Sequence, residues 1–252
     1  MIGESVRLSR IIKNGKILIL AMDQGIEHGP MDFDSKNIDP DYVFKIAQYY
    51  DGFAVQKGIA YKYMHNYAGK TPLILKLNGR TSLNPKDEIY SSPVATVKEA
   101  VKLGADAIGY TLYVGSPMEA KMFRDFGMIH AEAKEYGMPT IVWAYPRGKY
   151  VKNEKDPATI AYAARVALEL GADIVKVNYT GSTSTFKQVV NSAQKCHVIS
   201  SGGSKLDETE FIKKAKDVMA AGASGFAVGR NVWQAQNPLE ITKKLKKVVY
   251  GE

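Results

Sequence analysis

Lys176 stands in the middle of a short apolar run, "ADIVKVNYTG" at 172–181, where a buried ammonium is costly unless something compensates it. A lysine held among apolar walls and other cations loses part of its affinity for a proton, because desolvation and like charge both disfavour the ammonium. It then becomes a nucleophilic amine near neutral pH. Such an amine attacks a ketone or aldehyde, expels water and leaves an iminium that withdraws electrons from the adjacent carbon. A plainer reading pairs Lys176 with Asp23 or uses it as a point charge for phosphate. Lys57 and Lys76 hold comparable positions near strand ends and compete for the same role.

Which elements could position such a residue is answered by a repeat. "KLGADAIGY" (102–110), "ELGADIVKV" (169–177) and "AAGASGFAV" (220–228) each join a helical tail to an apolar strand through a glycine, and "EYGMPTIVW" (135–143) is a looser copy. These are the joints of a repeating βα unit, which implies a parallel sheet covered by helices. Apolar runs bounded by turn signals predict strands at 16–23, 52–57, 72–79, 107–115, 140–148, 174–181, 197–203 and 225–231. Eight is the TIM-barrel number, so the expected fold is an α/β class (β/α)8 TIM barrel in a single domain spanning 1–252, with residues 1–15 as an N-terminal helix capping the barrel. Helical periodicity is clearest at 158–170, 208–221 and 238–249. An open doubly wound sheet is the rival, weakened by the absence of G-x-G-x-x-G after the first strand.

In a barrel the C-terminal strand ends converge on one mouth. Those ends supply Asp23, Gln24, Glu27 and His28, then Gln56 and Lys57, then Lys76, Asn78 and Arg80. Trp143, Tyr145 and Arg147 share one face of the fifth strand by its period of two, as do Lys176 and Asn178 on the sixth. The seventh and eighth strands end in "SSGG" (Ser200, Ser201, Gly202, Gly203) and "VGRN" (Gly229, Arg230). Glycine N–H groups, a following helix and an arginine fork at these two ends match the way barrels hold phosphate. The alternative is that the glycines only permit tight turns. The segment 80–93 is a long loop rich in turn formers, fit either to cover the mouth or to run over the surface.

Composition narrows the class. The chain has 252 residues, 45% hydrophobic and 24% charged, which is ordinary globular composition. No apolar run is long enough to span a bilayer and the N-terminus lacks a signal-peptide core, so a soluble, unprocessed, cytoplasmic protein with no membrane contact is expected. The single cysteine, Cys196, suits a reducing compartment. Asp23, Glu27 and His28 could suggest metal-dependent chemistry, but the other histidines, His65, His130 and His197, fall in segments that do not converge with them. A formal charge of +8 favours anionic partners. Phosphorylated metabolites fit better than nucleic acid, since no nucleic-acid motif is present and the basic residues are dispersed among acidic ones.

"LAMDQGIEHGP", "LILKLNG", "GYTLYVGS", "VWAYPRG", "VKVNYTG", "SSGG" and "AVGRNVWQ" occur in that order. Together they resemble the archaeal-type class I fructose-1,6-bisphosphate aldolases. The resemblance runs from about residue 8 to 251. It implies a (β/α)8 barrel, no cofactor and no metal, and reversible cleavage of fructose 1,6-bisphosphate to dihydroxyacetone phosphate and glyceraldehyde 3-phosphate in glycolysis and gluconeogenesis. It also implies that Lys176 forms the Schiff base, that Tyr145 is the acid/base and that Asp23 lies against the reacting hydroxyls. Gln24, His28, Trp143, Arg147 and Asn178 would line the substrate, with Ser201, Gly202, Gly203, Gly229 and Arg230 as the phosphate loops. Family members usually have histidine where this chain has Gln24, and an amide cannot titrate near pH 7. A homo-oligomer is implied too, with a decameric ring as one form. A sister group, the aldolase-like 2-amino-3,7-dideoxy-D-threo-hept-6-ulosonate synthases, shares the lysine; "EHGP" and "WAYPRG" favour the bisphosphate aldolase.

Overall fold

The computed structural model describes residues 2–84 and 88–251. Eight parallel strands, β1 (Ile17–Ala21), β2 (Gly52–Gln56), β3 (Leu73–Lys76), β4 (Ala107–Val114), β5 (Thr140–Pro146), β6 (Ile174–Val177), β7 (His197–Ser201) and β8 (Gly225–Val228), pair in the order β1-β8-β7-β6-β5-β4-β3-β2. The last link closes the sheet, giving the (β/α)8 barrel expected from the strand count.

Each strand is apolar on both faces because one looks into the barrel and the other under the helices. The inward set, Ile17, Ile19, Ala54, Ile74, Ala107, Ile141, Ile174, Ile199 and Ala227, forms one buried cluster. The intervening residues, among them Leu18, Leu20, Phe53, Leu75, Ile108, Val142, Val175, Val198 and Phe226, belong to a larger cluster shared with the helices. Period two therefore settles what points where: two residues beyond Ile74, Ile174 and Ile199 come Lys76, Lys176 and Ser201. The helix α1 (Ile2–Ile11) brings Ile11 into the inner cluster, Arg7 donates to the carbonyls of Tyr136 and Gly137, and the short α2 (Gly25–His28) follows β1.

Local signals fix the helices. Asp39, Thr96, Asp156, Ser182 and Asp207 accept first-turn N–H groups at the starts of α3 (Pro40–Ala47), α5 (Val97–Lys102), α7 (Pro157–Glu169), α8 (Thr183–Ala193) and α9 (Glu208–Ala220). At the repeated joints Gly104, Gly137, Gly171 and Gly222 take φ of +70°, +57°, +89° and +90°, the left-handed turn that ends a helix and redirects the chain into a strand. No helix among the described residues is long and apolar enough to cross a membrane.

The third strand is shorter than its pattern suggests. It stops at Lys76, and Asn78–Gly79 pairs antiparallel with Ser92–Pro93 instead. The reason is the Asn78 amide, whose Oδ1 accepts from Thr111 N–H at 2.8 Å and whose Nδ2 donates to the Thr111 carbonyl at 2.9 Å and that of Ser91 at 3.1 Å. A side chain thus replaces the backbone in the ladder to β4 and frees the chain to turn away. Part of the loop expected at 80–93 lies outside the described residues.

Candidate active site

A cavity of about 160 Å³, open to solvent, lies over the C-terminal strand ends. Lys176 is 7% exposed and lines it. Its neighbour across the β5–β6 ladder is Trp143, whose ring lies 5.0 Å from Lys176 Nζ. Lys76 Nζ approaches the same ring at 5.3 Å. Gly109 makes room for this indole, since a Cβ there would meet it at 2.4 Å.

Among the described residues the Asp23 carboxylate pairs with Lys76, at 3.9 Å, and Lys176 is left without a salt bridge. Burial pulls the Lys176 ammonium below the ordinary lysine range; Asp23 opposes this and Arg230 adds to it. Lys76 is drawn down to about 8, again chiefly by burial, with Asp23 opposing and Lys176 contributing. Tyr145 moves the other way: burial, then the negative charge of Asp23, hold its phenol protonated, while Arg147, 5.4 Å from its ring, works against them. A nucleophilic amine, a carboxylate and a phenol thus face one space.

The walls are cationic. Lys76, Arg80, Arg147, Lys176 and Arg230 line the cavity against two carboxylates, Asp23 and Glu27. Glu27 is shared between Arg147 at 3.5 Å and Arg80 at 3.9 Å. On the β7–β8 side, Ser201 donates to Asn178 at 2.8 Å, and Arg230 reaches Asp32 at 3.4 Å and the Gly203 carbonyl at 3.4 Å. Trp143 Nε1 and Gln24 Nε2 are buried donors with no partner among the described residues, which suits a ligand rich in oxygen acceptors.

Residues 17–235 match the family model described as DeoC/LacD family aldolase. The chain belongs to that family. It is 48% identical over 244 residues to the fructose-bisphosphate aldolase class 1 of Thermoproteus tenax, covering 95% of this chain and 91% of that one. A crystal structure of an archaeal fructose 1,6-bisphosphate aldolase superposes with a TM-score of 0.93 at 47% identity, covering 99% of this chain and 100% of the other. A second archaeal structure, with the catalytic lysine covalently bound to the carbinolamine intermediate of the substrate, gives 0.92 at 47% identity, covering 98% and 100%.

In this DeoC/LacD aldolase the residues that the family resemblance assigned to the site line a single cavity: Asp23, Gln24, His28, Trp143, Tyr145, Arg147, Lys176, Asn178, Ser201, Gly202, Gly203, Gly229 and Arg230. Lys57 does not. It opens α4 (Lys57–Tyr63), one residue past the inward-facing Gln56, and pairs with Glu99 at 3.1 Å. His28 is held by Asp32, while His130 packs on Phe126 in α6 (Glu119–Glu135) and His197 bonds Ser224 at the start of β7. Sequence reasoning missed Tyr113 and Thr111, which also line the cavity. Their alternation along "AIGYTLYVG" with the buried Ala107 was the available signal. Arg80 has no assigned role in the sequence reading, and Lys76 stands there as a rival of Lys176.

Proposed function

We propose that this chain is a class I fructose-1,6-bisphosphate aldolase, a carbon–carbon lyase that works through an imine on Lys176. The observation that carries the reading is the buried amine of Lys176, without a salt bridge among the described residues and with its ammonium disfavoured by burial, facing the same cavity as Asp23 and Tyr145. The names and close similarity of the relatives support it over the synthase reading.

The chemistry follows from the residue types. The Lys176 amine adds to the C2 ketone and water leaves, giving an iminium. Asp23 takes the proton of the C4 hydroxyl, the C3–C4 bond breaks, and its electron pair enters the iminium to form an enamine. The aldehyde departs. Tyr145, kept as a phenol by burial, then gives its proton to C3. The iminium formed beside it offsets the charge on the phenolate. Water releases the ketone, the proton it brings restores Tyr145, and Asp23 returns its proton to solvent, replacing the one that iminium formation consumed. Ser201, Gly202, Gly203, Gly229 and Arg230 hold one phosphate, and Trp143, Arg147, His28, Gln24 and Asn178 contact the sugar.

Incubation with dihydroxyacetone phosphate and borohydride, followed by peptide mass mapping, tests the reading. The expected result is one adduct, on Lys176. A label on Lys76 would move the chemistry to β3, and no label would remove the imine. Exposed apolar residues such as Tyr150 (69%) and Tyr162 (66%) support self-association into a homo-oligomer, which light scattering would measure. A metabolic reaction and a lone buried Cys196 support a cytoplasmic setting and a place in glycolysis and gluconeogenesis.

A further inference from the structure

Lys214, in the second turn of α9, belongs to no part of the mechanism above. Its side chain runs inward from the helix layer and donates to the Ser201 carbonyl at 2.8 Å and the Gly202 carbonyl at 3.0 Å. Among the described residues it has no carboxylate partner. Tyr179, from the segment after β6, faces it with its ring 5.9 Å away, and the Tyr179 hydroxyl is turned onto Asp217 at 3.2 Å. Arg230 approaches from the β8 side through the Gly203 carbonyl. Asn231 completes the anchoring, donating to the carbonyls of Gly202 and Ser204 and accepting from Leu206 N–H.

A partly buried cation without an anion costs stability unless something offsets it. Here the ammonium engages the negative ends of two carbonyl dipoles in the very loop whose other side lines the cavity. That engagement keeps the carbonyl oxygens of Ser201 and Gly202 turned to the helix layer, away from any anion in the cavity, and sets a positive charge behind the loop.

We propose that Lys214 is a positioning residue for anion binding, tying back the Ser201 and Gly202 carbonyls and charging the rear of the loop that meets the substrate phosphate. The inference rests on the aldolase reading for the identity of the phosphate ester. Burial draws Lys214 down to about 8, so its charge is lost as pH rises through that value, and phosphate affinity falls with it. A phosphate monoester is already largely a dianion there, so its own titration does not produce the fall. Lys76 titrates in the same range but acts close to Lys176, and so affects phosphorylated and unphosphorylated ketones alike.

The test compares the wild type, Lys214→Met and Lys214→Arg in borohydride trapping with dihydroxyacetone phosphate and with dihydroxyacetone, from pH 7 to 9. Lys214→Met is expected to raise half-saturating dihydroxyacetone phosphate roughly tenfold, leaving the dihydroxyacetone value and the trapped plateau unchanged. Lys214→Arg keeps most of the preference and removes its decline above pH 8, because a guanidinium stays charged. Equal weakening for both ketones would make Lys214 a scaffold residue only and overturn the proposal, as would unchanged preference in Lys214→Met. Calorimetric titration with sulfate, a permanent dianion, separates the two readings. Weaker sulfate binding in Lys214→Met with no adduct in any protein would sustain the role of Lys214 and remove the aldolase. Sulfate affinity equal in Lys214→Met and the wild type would overturn the role of Lys214 while the adduct on Lys176 stood.

Discussion

The inward faces of the same strands carry two layers of opposite chemistry. The lower layer is Ile19, Ile74, Ile141, Ile174 and Ile199, all fully buried and all aliphatic. One step up each strand come Lys76, Trp143, Lys176 and Ser201, with Asp23 above Ala21 and Tyr145 above Trp143. Lys76, Trp143, Tyr145, Lys176 and Ser201 stay on the strands, while Asp23 lies in the turn after β1. Below, branched side chains fill the barrel and stabilise it. Above, buried ionisable groups oppose folding, and the aliphatic floor is what keeps them short of water. The lower layer thus does part of the upper layer's chemistry by setting the environment that depresses Lys176.

The sharpest break of the comparison is Lys176→Met, which extends the lower layer's chemistry upward by one residue. Activity is expected to fall by about 10⁴-fold or more, borohydride labelling to vanish, and the fold to persist or gain stability, as read by turnover assays and circular dichroism. Retained turnover would show that the imine is elsewhere. Tyr145→Phe removes only the phenolic proton. A loss of about 10²- to 10⁴-fold in turnover is expected, with imine trapping by dihydroxyacetone phosphate largely retained, because that imine forms before Tyr145 exchanges a proton with C3. Loss of trapping in parallel with turnover would instead give Tyr145 a part in imine formation.

Ile174→Ala attacks the lower layer on the same strand. Its cost should fall on stability, about 2–5 kcal/mol by denaturant titration, while turnover per folded molecule stays close to the wild type. A large loss of turnover at full folding would mean that the floor positions Lys176 directly as well as excluding water from it.

These layers were unequally legible. The strand count, the αβ joints around Gly104, Gly171 and Gly222, and the period that puts Lys176 on the face of Ile174 are local, so they can be read from one stretch of chain. The strand-end reading draws nothing from the fourth strand and so passes over Tyr113, which lies on the inward face of β4 beside its last residue, Val114. Lys57 was counted although one residue of period separates it from Gln56. The early end of β3 depends on Asn78 finding Thr111, 33 positions away, and the contact of Lys214 with Ser201 and Gly202 depends on a helix docking behind the next strand. Pairings of that kind exist only once the barrel has closed.

The smallest expected effect is also the most specific to the comparison. Lys76 stands directly above Ile74, and its depressed pKa means that between about 8 and 10.5 the folded protein binds one proton fewer at this site than the unfolded chain does. Stability therefore rises with pH across that window, by up to about 1.4 kcal/mol per pH unit from this group. Below it, where both states are protonated, the full penalty is present. Lys76→Met removes the titration and continues the apolar floor, while Lys176 remains to face Asp23. Urea midpoints measured from pH 7 to 10.5 should accordingly rise less steeply in the variant, by a slope difference of about one proton, with catalysis impaired far less than in Lys176→Met. An unchanged slope would mean that Lys76 is solvated in the folded protein, and the division into a dry floor and a charged upper layer would then fail on β3.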